Sequence, residues 1–221
     1  MTRKFSGKQV IKAGDSFLDD AIFKDENITK FGESMEILSY WRFSHEHPLN
    51  IAVNTLDNTC RKFEKNTIVA KRLKRHVSIV GKLRRFQNEK MKLKNMQDIG
   101  GCRAVISGEK KLRQVLRELK KKSEFKDRNG RSRIKDYIEK PKTDGYRGIH
   151  IIGKFPDDNG KNKNIEIQLR TRIQHYWATA LEIIDIFTGQ ALKSNQGDIN
   201  WESFFIRISE QFSIMEEIHL F

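Results

Sequence analysis

Asn164-Ile165-Glu166-Ile167-Gln168-Leu169-Arg170 alternates apolar and polar residues without a break. A period of two is the mark of a β-strand, whose successive side chains point to opposite faces. Ile165, Ile167 and Leu169 can then be buried together, and Glu166, Gln168 and Arg170 share the other face. An acid, an amide and a guanidinium in a row suit a polar cleft. The acid can hold Mg²⁺ or accept a proton, and the arginine can hold phosphate. The same pattern also fits an ordinary amphipathic outer strand.

Working upstream, Asp157-Asp158-Asn159-Gly160 predicts a hairpin turn, and Ile149 to Phe155 predicts its first strand. Cys102 to Ile106, after Gly100-Gly101, predicts another strand, and Ile134 to Ile138 can extend. Leu112, Val115, Leu116 and Leu119 give Lys111 to Lys122 a helical stripe. Residues 1–50 read as helical with breaks, with Pro48 following a turn at His45-Glu46-His47, and residues 51–66 read as one helix. Val69, Leu73, Val77, Val80 and Leu83 predict a helix from Val69. Its opposite stripe would be Lys71, Arg75, Ser78, Lys82 and Arg85. Downstream, Ile173, Trp177, Leu181 and Ile184 begin a long helix, and residues 196–221 form a last one. Strands and helices mixed in one body give an α/β or α+β class with flanking helices.

The 221 residues carry 43 Lys+Arg against 29 Asp+Glu, a net charge of +14, so an anionic partner is expected. The charge is uneven. Between Arg61 and Lys94 stand 13 basic residues opposed only by Glu64 and Glu89, whereas 196–221 is acidic. Two cysteines, Cys60 and Cys102, exclude a disulfide framework and point to a reducing compartment. No apolar run approaches a membrane span, and Met1 to Val10 lacks the apolar region of a secretory signal. A cytoplasmic location is therefore expected. The chain has no GxxxxGK[ST] P-loop, no Cys/His cluster at zinc spacing and no GxSxG elbow.

Asp98, before Gly100-Gly101 and a strand bearing Arg103, is a candidate Mg²⁺ ligand and equally the residue type of a turn cap. With Glu166 it makes a candidate acidic pair. The loop Pro141 to His150 offers Lys142, Arg147 and His150 for phosphate and Tyr146 for stacking on a base. A surface turn with a packed tyrosine fits that loop as well.

Taken in order, several segments resemble one family. They are Arg72-Leu73-Lys74 with Ser78 to Leu83, Asp98-Ile99-Gly100-Gly101-Cys102-Arg103, Lys135-Asp136-Tyr137, Pro141-Lys142, Gly145 to His150, Glu166 to Thr171, and Gln174 to Ala178. Over about residues 70–185 the chain resembles the synthetase domain of the RelA/SpoT alarmone synthetases. The resemblance implies a nucleotidyltransferase-like mixed sheet flanked by helices over 69–187, with helical extensions at 1–68 and 188–221. It implies transfer of the β,γ-pyrophosphate of ATP to a ribose 3′-hydroxyl. Arg72, Lys74, Ser78, Lys82 and Arg103 would bind ATP. Asp98 and Glu166 would hold Mg²⁺, and Glu166 would activate the hydroxyl. Tyr146 would stack on the acceptor base, with Lys142, Arg147, His150, Gln168 and Arg170 around it. The resemblance also implies an extended lead-in at Arg72 to Lys74 and a helix from near Val77. Arg147-Gly148 stands where the family has Lys-Ser or Arg-Ser.

Trp41-Arg42-Phe43-Ser44-His45, Pro48-Leu49-Asn50, Ala191 to Asp198, Trp201 and Phe204-Phe205 are similar to the toxic small synthetases of toxin–antitoxin and phage-defence systems. That similarity implies a tRNA 3′-CCA end as acceptor, a block of translation and a cognate antitoxin. Lys62, Lys65, Lys90, Lys92 and Lys94 are the residues expected to hold the tRNA. The alternative acceptors are GDP or GTP, giving (p)ppGpp, or an adenine nucleotide.

Overall fold

A computed structural model describes residues 4–189, 192 and 197–218. The fold is mixed α/β. Helices α1 (Gly7–Ser16), α2 (Ile28–Phe43) and α3 (Glu46–Cys60) come first, followed by β1 (Ile68–Leu73) and α4 (His76–Arg85). Then come β2 (Gly100–Ile106), α5 (Glu109–Lys121), β3 (Arg133–Asp136), β4 (Ile149–Pro156) and β5 (Asn162–Thr171). Helices α6 (Arg172–Thr188) and α7 (Ile199–Glu217) follow. The five strands form one sheet in the order β1-β2-β5-β4-β3, so β5 is its middle strand. Strand β3 pairs antiparallel with β4, with Lys135 opposite His150 and Ile134 opposite Ile151.

The alternation at 164–170 is realised on β5. Ile165, Ile167 and Leu169 are fully buried, while Glu166 and Gln168 are half-buried. The hairpin before it turns as expected. Asp157 Oδ1 accepts from the amides of Asn159 and Lys161, both at 2.9 Å, and Gly160 takes φ +72°. The predicted helix on α5 also forms, with Leu112, Val115, Leu116 and Leu119 on its buried side.

One expected helix does not form from Val69. Residues 68–73 are strand β1, and Arg75 is still extended (φ −64°, ψ 146°) before α4 begins at His76. The Lys74 amide donates to the Ile99 carbonyl at 2.8 Å, which holds the lead-in against the segment before β2. The apolar spacing misled because Val77 is 84% exposed; Ile79 and Leu83 are the buried residues of α4. The stripe of Lys71, Arg75, Ser78, Lys82 and Arg85 falls with that helix. The extended lead-in implied by the resemblance is the arrangement found. The helix expected over 51–66 runs instead over Glu46–Cys60, with Pro48 in its first turn, where a missing N–H is tolerated. Strand β3 stops at Asp136 rather than Ile138. Of the segment Ala191 to Asp198, residues 191 and 193–196 lie outside the described residues, as do 219–221 at the end of the last expected helix.

The chain divides into two compact units. One comprises Met1–Ala52, Lys71–Cys102 and Gly153–Glu166; the other comprises Val53–Ala70, Arg103–Ile152 and Ile167–Phe221. The first has a core of Val10, Phe17, Leu38, Ile79, Leu83, Leu93, Met96 and Ile99. The second has a cluster of Tyr146, Trp177, Ala178, Leu181, Leu192 and Phe205. Among the described residues, no helix is long and apolar enough to cross a membrane.

Gly14 shows how closely the first core is packed. A Cβ there would lie 2.7 Å from Leu93 Cβ. Helix propensity alone favours alanine over glycine by about 1 kcal/mol. Overpacking costs about 1–3 kcal/mol and outweighs it. Gly14→Ala is therefore expected to lower the midpoint of thermal unfolding, measured by circular dichroism, and an increase would contradict the packing account.

Candidate active site

In the first unit the site is built around Asp98. Its Oδ2 accepts from Lys82 Nζ at 2.8 Å and from Lys74 Nζ at 3.2 Å. Lys82 comes from α4 and Lys74 from the extended lead-in after β1. The three side chains are 17–21% exposed, so the charges are partly withdrawn from water yet reachable. Asp98 Oδ1 is buried and has no hydrogen-bond partner. Two ammonium groups on one carboxylate leave net positive charge, which suits a polyphosphate. Ser78 is half-buried on α4 and Arg72 is exposed on β1.

The strand carrying Glu166 runs beside this segment. A side chain at Gly100 would displace Ile165, because a Cβ would lie 2.8 Å from Ile165 Cδ1. At Gly101 the same atom would lie 3.4 Å from the Glu166 carbonyl oxygen. Gly100 is thus the tighter of the two positions, and at Gly101 a Cβ would make an ordinary contact.

Helix α2 supports the lead-in from outside. Arg42 Nε donates to the Lys74 carbonyl at 2.8 Å, and Ser39 Oγ lies 3.2 Å from His76 Nε2. Trp41 takes the Lys163 ammonium over its ring at 3.6 Å, and Lys163 also faces Asp157 at 3.7 Å. His45 Nδ1 meets the Trp41 carbonyl at 2.8 Å, and burial pushes its pKa down to about 4. The segment Trp41 to His45 thus serves the fold of this unit.

In the second unit the site is built around Tyr146. The Tyr146 hydroxyl accepts from Arg170 Nε at 3.1 Å and shares a hydrogen bond of 2.7 Å with His150 Nε2. Gln168 Oε1 accepts from Arg170 Nη2 at 3.3 Å and from Arg103 Nε at 3.4 Å. Lys142 Nζ stands 4.7 Å from the Tyr146 ring centre and 4.9 Å from that of Tyr137. The Arg170 guanidinium stands 4.8 Å from the Tyr146 ring. Tyr137 and His150 meet Tyr146 edge-on. Tyr146 is only 7% exposed, so its ring is packed among these neighbours.

The glycines of this loop are dictated by space. At Gly148 (φ +147°) a Cβ would lie 3.1 Å from Tyr146 Oη and 3.2 Å from both Arg170 Cγ and the Leu169 carbonyl oxygen. A side chain at this positive φ is strained and needs Tyr146, Arg170 or the Leu169 carbonyl to give by a few tenths of an ångström, which disfavours Arg-Ser here.

The structure brings together Lys74, Lys82 and Asp98 in one unit, and Arg103, Lys142, Tyr146, His150, Gln168 and Arg170 in the other. Arg147 is directed elsewhere, its guanidinium donating to Ser209 Oγ at 3.2 Å and to the Ile138 carbonyl at 3.1 Å. Lys92 is tied to both oxygens of Asp15, at 2.9 and 3.0 Å. Lys62, Lys65, Lys90 and Lys94 are exposed. Tyr137, Arg42, His175 and Ser209 also stand at or beside these groups. His175, on α6, has its pKa lowered by burial and then by the nearby charges of Arg103 and Arg170. A signal for Tyr137 and His175 existed, because both lie within the matched segments. No group of three or more His, Cys, Asp or Glu side chains that could hold a metal occurs among the described residues.

The family model described as "Region found in RelA / SpoT proteins" matches residues 71–183. The chain belongs to the RelA/SpoT family. Within that family it is similar to the GTP pyrophosphokinase YwaC of Bacillus subtilis (strain 168), 32% identical over 115 residues, or 49% of this chain and 52% of that protein. It is also similar to the GTP pyrophosphokinase YjbM of the same organism, 32% identical over 114 residues, 50% of this chain and 52% of that protein. The chain thus spans about half the length of these curated relatives. Among solved structures, the small alarmone synthetase 1 of Bacillus subtilis bound to its product pppGpp superposes with a TM-score of 0.62 at 26% identity. That match covers 78% of this RelA/SpoT chain and 91% of the other. The small alarmone synthetase 2 of that organism shares the fold, with a TM-score of 0.66 over 81% of this chain and 94% of that one.

Glu216 of α7 offers a test of the electrostatics in the second unit. It accepts from Gln174 Nε2 at 3.3 Å, and burial raises its pKa above the usual 4.5. A carboxyl with a raised folded pKa binds its proton more tightly in the folded state. It therefore weakens the fold above that pKa and has no effect below the unfolded value. Glu216→Gln is expected to raise the thermal midpoint at pH 8 and to leave it unchanged near pH 3. An equal gain at both pH values would assign the effect to packing instead.

Proposed function

We propose that this chain is an ATP-dependent pyrophosphokinase that moves the β,γ-pyrophosphate of ATP to a ribose 3′-hydroxyl. The observation that carries the reading is Asp98, with Lys74 and Lys82 sharing its Oδ2 while its Oδ1 stays buried and unpartnered. Pyrophosphoryl transfer needs positioning and positive charge far more than covalent chemistry. In this reading Arg72, Lys74, Ser78, Lys82 and Arg103 receive the triphosphate. The names of the relatives, GTP pyrophosphokinases and an alarmone synthetase, support it.

Mg²⁺ fits the residues present. Asp98 Oδ1 is an orphaned acceptor, and Mg²⁺ is commonly held by one or two carboxylates plus substrate phosphates. Asp98 would hold it with Glu166, and the ion would neutralise charge on the transferring phosphate oxygens. Glu166 has the further role of taking the proton of the attacking hydroxyl. Tyr146 would stack on the acceptor base, and Lys142, His150, Gln168 and Arg170 would meet the acceptor's sugar and phosphates.

For the acceptor we favour the terminal adenosine of the tRNA 3′-CCA end, which would make the protein a translation-inhibiting toxin held in check by an antitoxin. The exposed lysines Lys62, Lys65, Lys90 and Lys94 support a polyanion. Part of the basic stretch is already neutralised, because Arg61, Arg84 and Lys92 pair with Asp57, Asp20 and Asp15. The second reading is a nucleotide acceptor, GDP, GTP or an adenine nucleotide. It is supported by the pppGpp bound to the Bacillus subtilis synthetase.

ATP labelled in its γ-phosphate, offered with either deacylated tRNA or GDP, separates the two readings. Label is expected in tRNA and is expected to vanish when the terminal adenosine is removed. Label in GDP alone would transfer the proposal to the alarmone reading. Asp98→Ala is expected to lower transfer by about 10³-fold with either acceptor. Replacing Lys62, Lys65, Lys90 and Lys94 together by glutamate is expected to raise the KM for tRNA at least tenfold and to spare a nucleotide acceptor, checked by initial rates at two salt concentrations.

A further inference from the structure

Within the second unit, one buried hydroxyl holds the backbone on both sides of Tyr146. Ser209, in the middle of α7, is 4% exposed. Its Oγ donates to the Gly145 carbonyl at 2.5 Å and accepts from Arg147 Nε at 3.2 Å. The residues immediately before and after Tyr146 are thus tied to a single side chain more than 60 positions away.

The helix approaches the loop at backbone distance. Gly145 takes φ +85°, and a Cβ there would lie 3.1 Å from Ile206 Cα and 3.3 Å from Ser209 Cβ. A side chain at 145 would push α7 away, so the glycine serves contact as well as turn geometry. Arg147 makes its second bond to the Ile138 carbonyl, next to Tyr137, which packs on Tyr146. Helix α7 is itself fixed to α6, because Trp177 Nε1 donates to the Phe205 carbonyl at 2.8 Å and Gln174 donates to Glu216 at 3.3 Å. Phe205 and Trp177 share the cluster that contains Tyr146. An apolar residue at 209 would fill the same space and leave the Gly145 carbonyl and the Arg147 guanidinium without this partner.

We infer that Ser209 is a positioning residue for the acceptor: through it, α7 sets where the Tyr146 ring lies and hence how tightly the acceptor base is held. Arg147, which the sequence suggests as an acceptor ligand, then acts through the loop and not on the acceptor. The inference rests on the reading of Tyr146 as the residue that meets the acceptor base. Of the donor residues, Arg72, Lys74, Ser78, Lys82 and Asp98 belong to the other compact unit and Arg103 to this one, where it donates to Gln168, so a change at Ser209 should be felt chiefly on the acceptor side.

The test compares steady-state constants of Ser209→Ala, Tyr146→Ala and the unaltered chain, with ATP and acceptor varied in turn. Ser209→Ala is expected to raise the acceptor KM about tenfold, the scale of one lost buried hydrogen bond, with the KM for ATP within twofold of the unaltered value. An unchanged acceptor KM, or KM values for ATP and acceptor that rise together, would overturn the inference. Tyr146→Ala distinguishes the two levels of the argument. If it leaves the acceptor KM unchanged, the reading of the acceptor loop fails; if it raises that KM and Ser209→Ala does not, only the positioning role fails. Should Ser209→Ala not fold, judged by circular dichroism, Ser209→Cys keeps the size and weakens both bonds. The same split in KM is expected of it, and its absence counts against the inference equally.

Discussion

Burying one face of the middle strand constrains everything else in this molecule. Ile165, Ile167 and Leu169 are each removed fully from water, which stabilises the chain by about 2 kcal/mol per side chain. With a side-chain period of two, that burial leaves Glu166 and Gln168 no choice of face. A slip of one residue would put the acid and the amide into the core and the aliphatics into water. The polar face of β5 is therefore held in register by the apolar one. The neighbouring segments show the same economy of space: Gly100 and Gly101 carry no side chain where β2 comes up against Ile165 and the Glu166 backbone.

The charge of the chain acquires meaning from where its partners are. Lys74 and Lys82 are held on Asp98, and this is a poised arrangement rather than a closed ion pair, because one carboxylate oxygen serves two ammonium groups and the other serves none. Anionic phosphates entering such a site meet cations that are already oriented and partly desolvated, where electrostatic attraction is stronger than in bulk water. Other basic residues are structural. Arg84 reaches Asp20 and the Phe17 carbonyl, and Arg113 bridges Glu109 and Asp136. Glu64, though it lies in the basic stretch, accepts from the Ser107 amide and hydroxyl and from Lys111. Net charge alone could not separate these uses.

How far the sequence discloses the fold depends on whether local pattern and tertiary contact agree. On β5, at the Asp157 turn and along α5 they agree, and each element is legible from spacing alone. At 69–83 they disagree. Apolar residues at helical spacing suggest one helix, but Ile68 and Val69 are β-branched and the Lys74 amide has a partner in Ile99, so the chain stays extended until Arg75. That partner is 25 residues away in sequence and leaves no local trace. The candidate site divides in the same way. Asp98, Lys74 and Lys82 converge as the family pattern implies, whereas the use of Arg147 depends on Ser209, which no motif marks. Lys92 looked like a surface cation until Asp15 supplied its counterion.

The acceptor loop carries a physical consequence for the proposed reaction. The Tyr146 ring has Lys142 and Arg170 within cation–π distance, and its hydroxyl is engaged by Arg170 and His150. On the proposed reading, a base that stacks on that ring competes with a cation for its face. An anionic acceptor compensates the displacement, since its phosphates offer Lys142 a stronger partner than an aromatic face. A neutral nucleoside presents the base without the phosphate and gains no such compensation. On the proposed reading of Tyr146, the arrangement would favour acceptors that bring base and charge together. Gly148 adds to this closeness, because a Cβ at its positive φ would lie 3.1 Å from Tyr146 Oη and 3.2 Å from Arg170 Cγ, so a side chain there would press on the two groups that flank the ring.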